Sequence, residues 1–371
     1  MVIMNTKPKI LFLVQLPPPI HGASLMNKFL VESKILANDY DKEILNLDFA
    51  THVSDIGKIS VYKILKMFSF SILLFKTLYK IKFDLIYFTL SPVGGAFYRD
   101  ALFVSILKLF NSKIVYHLHG KGIHKEIQNP IKKIIYKFVF MNTSVISLSK
   151  LLHYDFAPIF SGPVYYVANG IPEVKINNLD RNFKELIYLS ALKISKGILD
   201  FVEALKILNQ QGVEFKAKII GSSTSDLSIE SLQDLINTSK LENKVQILGP
   251  LYGEAKFKEL ETSGIFCFPT YYKNECFPLS ILEAMMMGVI PVSTNNGAIE
   301  EIIDHEVNGV IVPMNDPIKL ADSLQILLNK SIEELSIISQ NANSKFKKHY
   351  TINIFERNIL NVFNTILKQN G

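Results

Sequence analysis

Short apolar runs of strand length alternate with longer segments of helical period along almost the whole chain, and this alternation restricts the fold more than any other feature. A run at 10–16 precedes a helical segment at 23–36, a run at 85–89 precedes one at 96–110, and a run at 114–118 precedes one at 131–140. Strands joined through helices form parallel sheets. Further runs at 145–148 and 165–168 lead into a Pro- and Asn-bearing stretch, 171–182, that has no period. The alternation then restarts, with strands at 186–190, 215–221, 245–248, 265–269 and 289–294 and helices at 197–209, 228–239, 253–261 and 278–287. The expected fold is α/β with two doubly wound, Rossmann-like domains: 1–172, a linker at 173–183, and 184–351, with a C-terminal helix at about 352–371 packing back on the first. Ile265-Phe266-Cys267-Phe268 is apolar at every position, as central parallel strands covered on both faces require. Ligands of such sheets bind beyond the carboxyl ends of the strands, so the loops there are where chemistry is expected.

The 371 residues suffice for two cores, and 48% hydrophobic residues without long Gly, Pro or Ser tracts exclude a disordered or collagen-like chain. Two isolated cysteines, Cys267 and Cys276, indicate neither a disulfide framework nor a zinc module, and a reducing cytoplasm is the expected location. The run at 10–16 is short and followed by Pro17-Pro18-Pro19, so it is read as a buried strand rather than a signal peptide. Apolar stretches such as 67–75 fall far below the ~20 residues a membrane helix needs.

Charge is uneven. Through Asp180 there are 21 Lys and Arg against 12 Asp and Glu, and after it 19 against 22. Nearly all of the basic residues are lysines, which suit diffuse attraction to anionic headgroups better than recognition of bases. No nucleic-acid partner is expected. The segment 59–78, with Lys58, Lys63, Lys66, Lys76 and Lys80 around apolar positions, reads either as a helix on the inner face of the cytoplasmic membrane or as a core helix.

The most informative stretch is 269–288. It leaves a buried strand, forms a polar loop and enters a helix near Pro278, which Gly288 ends. Glu275 stands just ahead of that helix's unpaired amides, a ready anion site, and Glu283 lies more than a turn inside it. Two carboxylates so placed suit two groups of hydroxyls on one ligand. Lys196-Gly197 opens another helix, where an ammonium and a helix N-terminus converge. His117 and His119 share one side of a strand end, followed by Gly120 and Gly122. Asp39-Tyr40-Asp41 lies in a helix-to-strand loop and is assigned to solvent. No metal site is expected, since no carboxylate or third His lies near the His pair in sequence.

The 269–288 segment resembles the Glu-x7-Glu motif of retaining glycosyltransferases of family 4, which have the GT-B architecture of two Rossmann-like domains facing across a cleft. Further pieces occur in the family's order: Val167-Ala168-Asn169-Gly170-Ile171, Ile290-Pro291-Val292-Ser293-Thr294 with Gly297 and Glu301, and Asn308-Gly309-Val310-Ile311-Val312-Pro313. The resemblance implies that Glu275 contacts the transferred sugar beside amides near Phe277, Pro278 and Leu279, and that Glu283 accepts the ribose hydroxyls. It implies that Lys196 holds the donor diphosphate, that His119 lies near the sugar, and that Gly22 and Asn169 border the donor. The family's diphosphate Arg is Ala191 here, with Lys193 as a substitute point charge. The implied activity is metal-independent transfer of a hexose-type sugar, with retention, from a UDP- or GDP-linked donor and with no cofactor. The expected acceptor is a lipid-linked oligosaccharide of bacterial surface polysaccharide (O-antigen or capsule) synthesis. An epimerase of GT-B shape and a non-catalytic nucleotide-sugar-binding subunit are the alternatives.

Overall fold

The computed structural model describes residues 7–49, 60–175 and 181–369. It divides into two units, one running to Gly170 and resuming at Ile352, the other comprising Ile171–Thr351.

In the first unit the strands are β1 (Lys9–Val14), β2 (Asp41–Asn46), β3 (Leu85–Phe88), β4 (Lys113–Leu118), β5 (Ser144–Ser147) and β6 (Val164–Tyr166). The helices are α1 (Gly22–Glu32), α2 (Lys34–Asp39), α3 (Val61–Lys80), α4 (Gly94–Leu107), α5 (Ile123–Glu126) and α6 (Pro130–Phe140). All six strands are parallel, in the order β2-β1-β3-β4-β5-β6. The apolar runs fill the centre: every residue of β3 and all of β1 after Lys9 are buried.

The helix expected at 23–36 is interrupted. The Ser33 hydroxyl accepts the Leu36 N–H while the Ser33 N–H returns to Leu30 O, so one residue ends α1 and caps α2. Strand β2 was not among the expected strands because Asp41–Asn46 carries charges and is mostly exposed, as an edge strand is. Of the helix expected at 59–78, Ile59 lies outside the described residues, as does Lys58, and α3 begins after the capping hydroxyl of Ser60.

The C-terminal helix, Ile352–Lys368, belongs to this unit. Its Phe363 ring meets the edges or faces of Phe12, Tyr40 and Tyr87 at 5.7–6.2 Å, and Tyr40 donates to Asn364 Oδ1 at 2.8 Å. Lys113 donates to Ile366 O and Leu367 O, satisfying carbonyls that a helix end leaves open.

The second unit holds β7 (Asn182–Leu189), β8 (Lys216–Ile220), β9 (Val245–Gly249), β10 (Ser263–Phe268), β11 (Ile290–Thr294) and β12 (Val310–Val312). Its helices are α7 (Ile198–Gln210), α8 (Ile229–Thr238), α9 (Gly253–Thr262), α10 (Leu279–Met286), α11 (Ile299–Ile302), α12 (Pro317–Leu328) and α13 (Ile332–His349). The parallel order is β12-β11-β10-β7-β8-β9. The chain thus winds from β7 outward to β9, then returns to the other side of β7 as β10. That reversal makes the β7/β10 junction the switch point, where the loops separate and leave a crevice.

The linker is shorter than the expected 173–183, since β7 already begins at Asn182. Its residues 176–180 lie outside the described residues. Arg181 is anchored, donating to Ser263 O at 2.8 Å and to Met287 O. Ile171 is tied to the second unit through its N–H to Tyr350 O, 2.9 Å.

Candidate active site

Two loops meet at the switch point of the second sheet. The turn after β7 carries Lys193 and Lys196, and the loop after β10 carries Thr270, Tyr272 and Glu275. Their backbones touch because of Gly197. It has φ +83°, and a Cβ there would stand 2.2 Å from Pro269 O. Only glycine fits on both counts. Tyr271 N–H donates to Ser195 O at 2.9 Å, locking the two loops together.

This contact delivers the Lys196 ammonium to Glu275 Oε2 at 2.6 Å, with Thr270 Oγ1 3.4 Å from the same oxygen. Glu275 is buried, 7% exposed. Lys193 and Lys196 both lie over the Tyr272 ring, 4.7 and 4.8 Å from its centroid. One aromatic ring therefore gathers two cations. On its other side the β10 loop is held by the segment after β11: Thr294 donates to Thr270 O at 2.5 Å, Asn296 to Tyr272 O at 2.9 Å and Ala298 N–H to Cys276 O at 2.8 Å. Gly297, at φ +66°, makes that approach possible, since a Cβ would lie 2.5 Å from Glu275 O.

Helix α10 begins after Pro278, which stands at its N-cap and brings no side chain to its first-turn amides. Phe277 is buried with its ring edge-on to Tyr350 at 5.7 Å, and Leu279 is the first helical residue. Glu283 has its own lysine: Lys256 of α9 donates to its Oε1 at 2.6 Å. Burial pushes the Glu283 carboxyl above its ordinary value, and Lys256 pulls it part of the way back. Each of the two carboxylates of the motif thus rests against one ammonium.

The first unit holds its own set of candidate residues. His119 follows β4, and its ring lies 4.0 Å from that of His117, whose Nδ1 is 2.7 Å from the Tyr87 hydroxyl. The Nε2 atoms of both rings are buried without a hydrogen-bond partner. Burial, with the His21 ring beside it, brings His119 down to about 3, and burial with His119 nearby takes His117 well below its usual range. Both rings are neutral at pH 7, able to hydrogen bond but not to act as cations. His21 is the N-cap of α1, accepting the Ser24 N–H, and Gly22 follows it as the first helical residue. Asn169 is buried beyond the end of β6. Among the described residues no group of three or more His, Cys, Asp or Glu is placed to hold a metal.

Lys256, Thr270 and Asn296 were not singled out in the sequence, and the Tyr271-Tyr272 pair reads there only as packing and loop-shaping. Lys256 stands in a helix, GEAKFKELET, whose charges read as a solvated face. Its only signal was that α9 immediately precedes the strand leading to the Glu275 loop.

Residues 172–345 match the family model described as "Glycosyl transferases group 1". Among relatives, the putative colanic acid biosynthesis glycosyltransferase WcaL of Escherichia coli (strain K12) is 26% identical over 49% of this chain and 45% of its own length. The amylovoran biosynthesis glycosyltransferase AmsK of Erwinia amylovora is 29% identical over 62% of this chain and 58% of its own. The matches therefore span about half the length of these relatives. Anabaena Alr3699/HepE, solved in complex with UDP, superposes with a TM-score of 0.74 at 18% identity, covering 96% of this chain and all of that one. The fold is of the GT-B class, with two parallel six-stranded sheets and their helices. The family model and both named relatives are glycosyltransferases.

Proposed function

We propose that the chain transfers a hexose-type sugar, with retention of configuration, from a UDP- or GDP-sugar to a lipid-linked glycan during bacterial polysaccharide synthesis. The observation that carries the reading is the Lys196–Glu275 pair at the switch point of the second sheet, 2.6 Å apart. The matched family model spans every residue of this set, and WcaL and AmsK are named for colanic acid and amylovoran biosynthesis.

As the bond between sugar and phosphate lengthens, negative charge grows on the diphosphate. Lys196, Lys193 and the uncapped first-turn amides of α10 are the groups that stabilise it. Drawing Lys196 toward the diphosphate frees Glu275 to accept hydrogen bonds from the sugar hydroxyls. Glu283 accepts the ribose hydroxyls, with Lys256 favouring its ionised form against the effect of burial. His119, neutral, serves as a hydrogen-bonding group toward the sugar, and Gly22 and Asn169 border the donor. In a front-face reaction the acceptor hydroxyl attacks from the side the diphosphate leaves, and a phosphate oxygen takes its proton.

The test begins with a thermal-shift screen of UDP-, GDP- and ADP-sugars, in which the true donor at 100 times its Kd adds about 2.7 kcal/mol. That donor is then supplied with a lipid-linked acceptor. Glu275→Gln is expected to cut transfer roughly 10²- to 10³-fold. Unchanged transfer by this variant removes the site assignment, and donor consumed without any acceptor points to an epimerase.

A further inference from the structure

Helix α3 is apolar on two opposite sides. Phe70, Leu74 and Leu78 are buried in the first unit's core. Val61, Leu65, Phe68, Ile72, Phe75 and Tyr79 recur every three or four residues on the other side, and all are exposed, by 45–79%. A helix packed on a core ordinarily turns polar groups outward. A second apolar stripe left in water marks an interaction surface.

The stripe continues onto neighbouring helices. Helix α3 packs on α4, and α4 on α6. Phe75 meets Phe110 edge to face at 5.7 Å, and Lys108, just past α4, lies 4.8 Å over the Phe138 ring of α6. Along α6, Ile131, Ile134 and Phe138 are exposed at the same three-or-four spacing, Ile131 by 72%. Right-handed crossovers from β2 to β3, β3 to β4 and β4 to β5 place these helices on one side of the sheet.

Charge selects the occupant. Neither α3 nor α6 contains an Asp or Glu, whereas Lys76 and Lys80 flank the first stripe and Lys133 and Lys137 stand beside the second. We infer that this face docks on an anionic bilayer, with α3 and α6 lying in the headgroup layer, their apolar stripes inserted and their lysines among the phosphates. A second copy of the chain is a poor occupant, because the same face would set lysines against lysines, and the carboxylates beside it, Asp48 and Glu126, are already paired with Lys66 and Lys132. Among the described residues no helix is long and apolar enough to cross a membrane, so the face lies on the bilayer rather than spanning it. The inference deepens the lipid-linked acceptor reading above and rests on it for the reason a transferase would seek a bilayer.

The test uses the full chain without donor, sedimented at low salt with phosphatidylglycerol vesicles and, separately, with phosphatidylcholine vesicles. Most of the protein is expected to pellet with the former and little with the latter. Two variants, Leu65→Glu/Phe68→Glu/Ile72→Glu and Lys76→Glu/Lys80→Glu/Lys133→Glu/Lys137→Glu, are each expected to lower the bound fraction at least tenfold while keeping the wild-type unfolding temperature and donor thermal shift. Wild type that stays in the supernatant with both vesicles overturns the inference. So does a triple variant that binds like wild type, or a solution dimer that the triple variant splits. Failed vesicle binding with an intact donor shift removes this surface alone, whereas a missing donor shift removes the transferase reading.

Discussion

The ammonium of Lys196, delivered by the turn after β7, stands 2.6 Å from Glu275 Oε2, delivered by the loop after β10, so the two principal charges at the switch point neutralise each other. Because Glu275 is almost fully covered, removing only its partner leaves a buried carboxylate without compensation. Lys196→Met is expected to destabilise the second unit by about 3 kcal/mol. Adding Glu275→Gln should recover most of that loss, giving a coupling of roughly 2 kcal/mol in a double-mutant cycle read by urea unfolding. Additive losses would mean the pair is an exposed contact of little energetic weight.

Gly197 is required by two independent constraints, its φ of +83° and the 2.2 Å approach of Pro269 O to its missing Cβ. Gly197→Ala should therefore cost about 1–3 kcal/mol in backbone strain, with more from the overlap. Since the displaced turn is the one holding Lys196, donor affinity should fall with stability. Calorimetry and donor titration on one sample check both.

His119 makes the first unit acid-sensitive. Its ordinary value is 6.5, and burial brings it down to about 3. Between these values the unfolded chain binds a proton that the folded chain refuses, so stability is full above pH 6.5 and declines as the pH falls toward 3. At pH 5 the loss from this group is about 2 kcal/mol. His117 and His21, also lowered by burial, act in the same direction. Unfolding temperatures measured at pH 7.5 and pH 5 should differ less in His119→Gln than in wild type, and an unaltered difference would refute the assignment.

Asp155 replaces a ligand that the start of α5 would otherwise lack. Its carboxylate accepts the N–H groups of Gly122, Ile123 and His124 at 2.9–3.1 Å while itself buried. Asp155→Asn sets an amide NH2 against those donors and should cost about 2 kcal/mol. For a unit of this size that lowers the unfolding midpoint by roughly 4–8 °C. A shift under about 1 °C would mean that water serves these amides equally well.

Much of the candidate site was legible because it sits where local chemistry repeats. Glu275 and Glu283 stand out by their places relative to one helix start, and Lys196 by the glycine that follows it. What stayed hidden were the partners. Lys256 has no distinguishing neighbour in sequence, yet it neutralises Glu283. The Lys196–Glu275 contact joins residues 79 positions apart, and only the strand order makes them neighbours. Strand β2 was missed because an edge strand does not need the apolar run by which buried strands are recognised.

The residue order alone determined two α/β units, the helices that link their buried strands, and the glycines and prolines that turn the loops, because periodicity records whether a segment is covered on one face or both. Tertiary structure decided which charges meet and which apolar face is left over. In α3 both sides are apolar, and composition gives them equal claims on the core. Packing against α4 and the first unit's core buries Phe70 and Leu74 and leaves Phe68 and Ile72 in water, since a helix lying on a core can bury only one side.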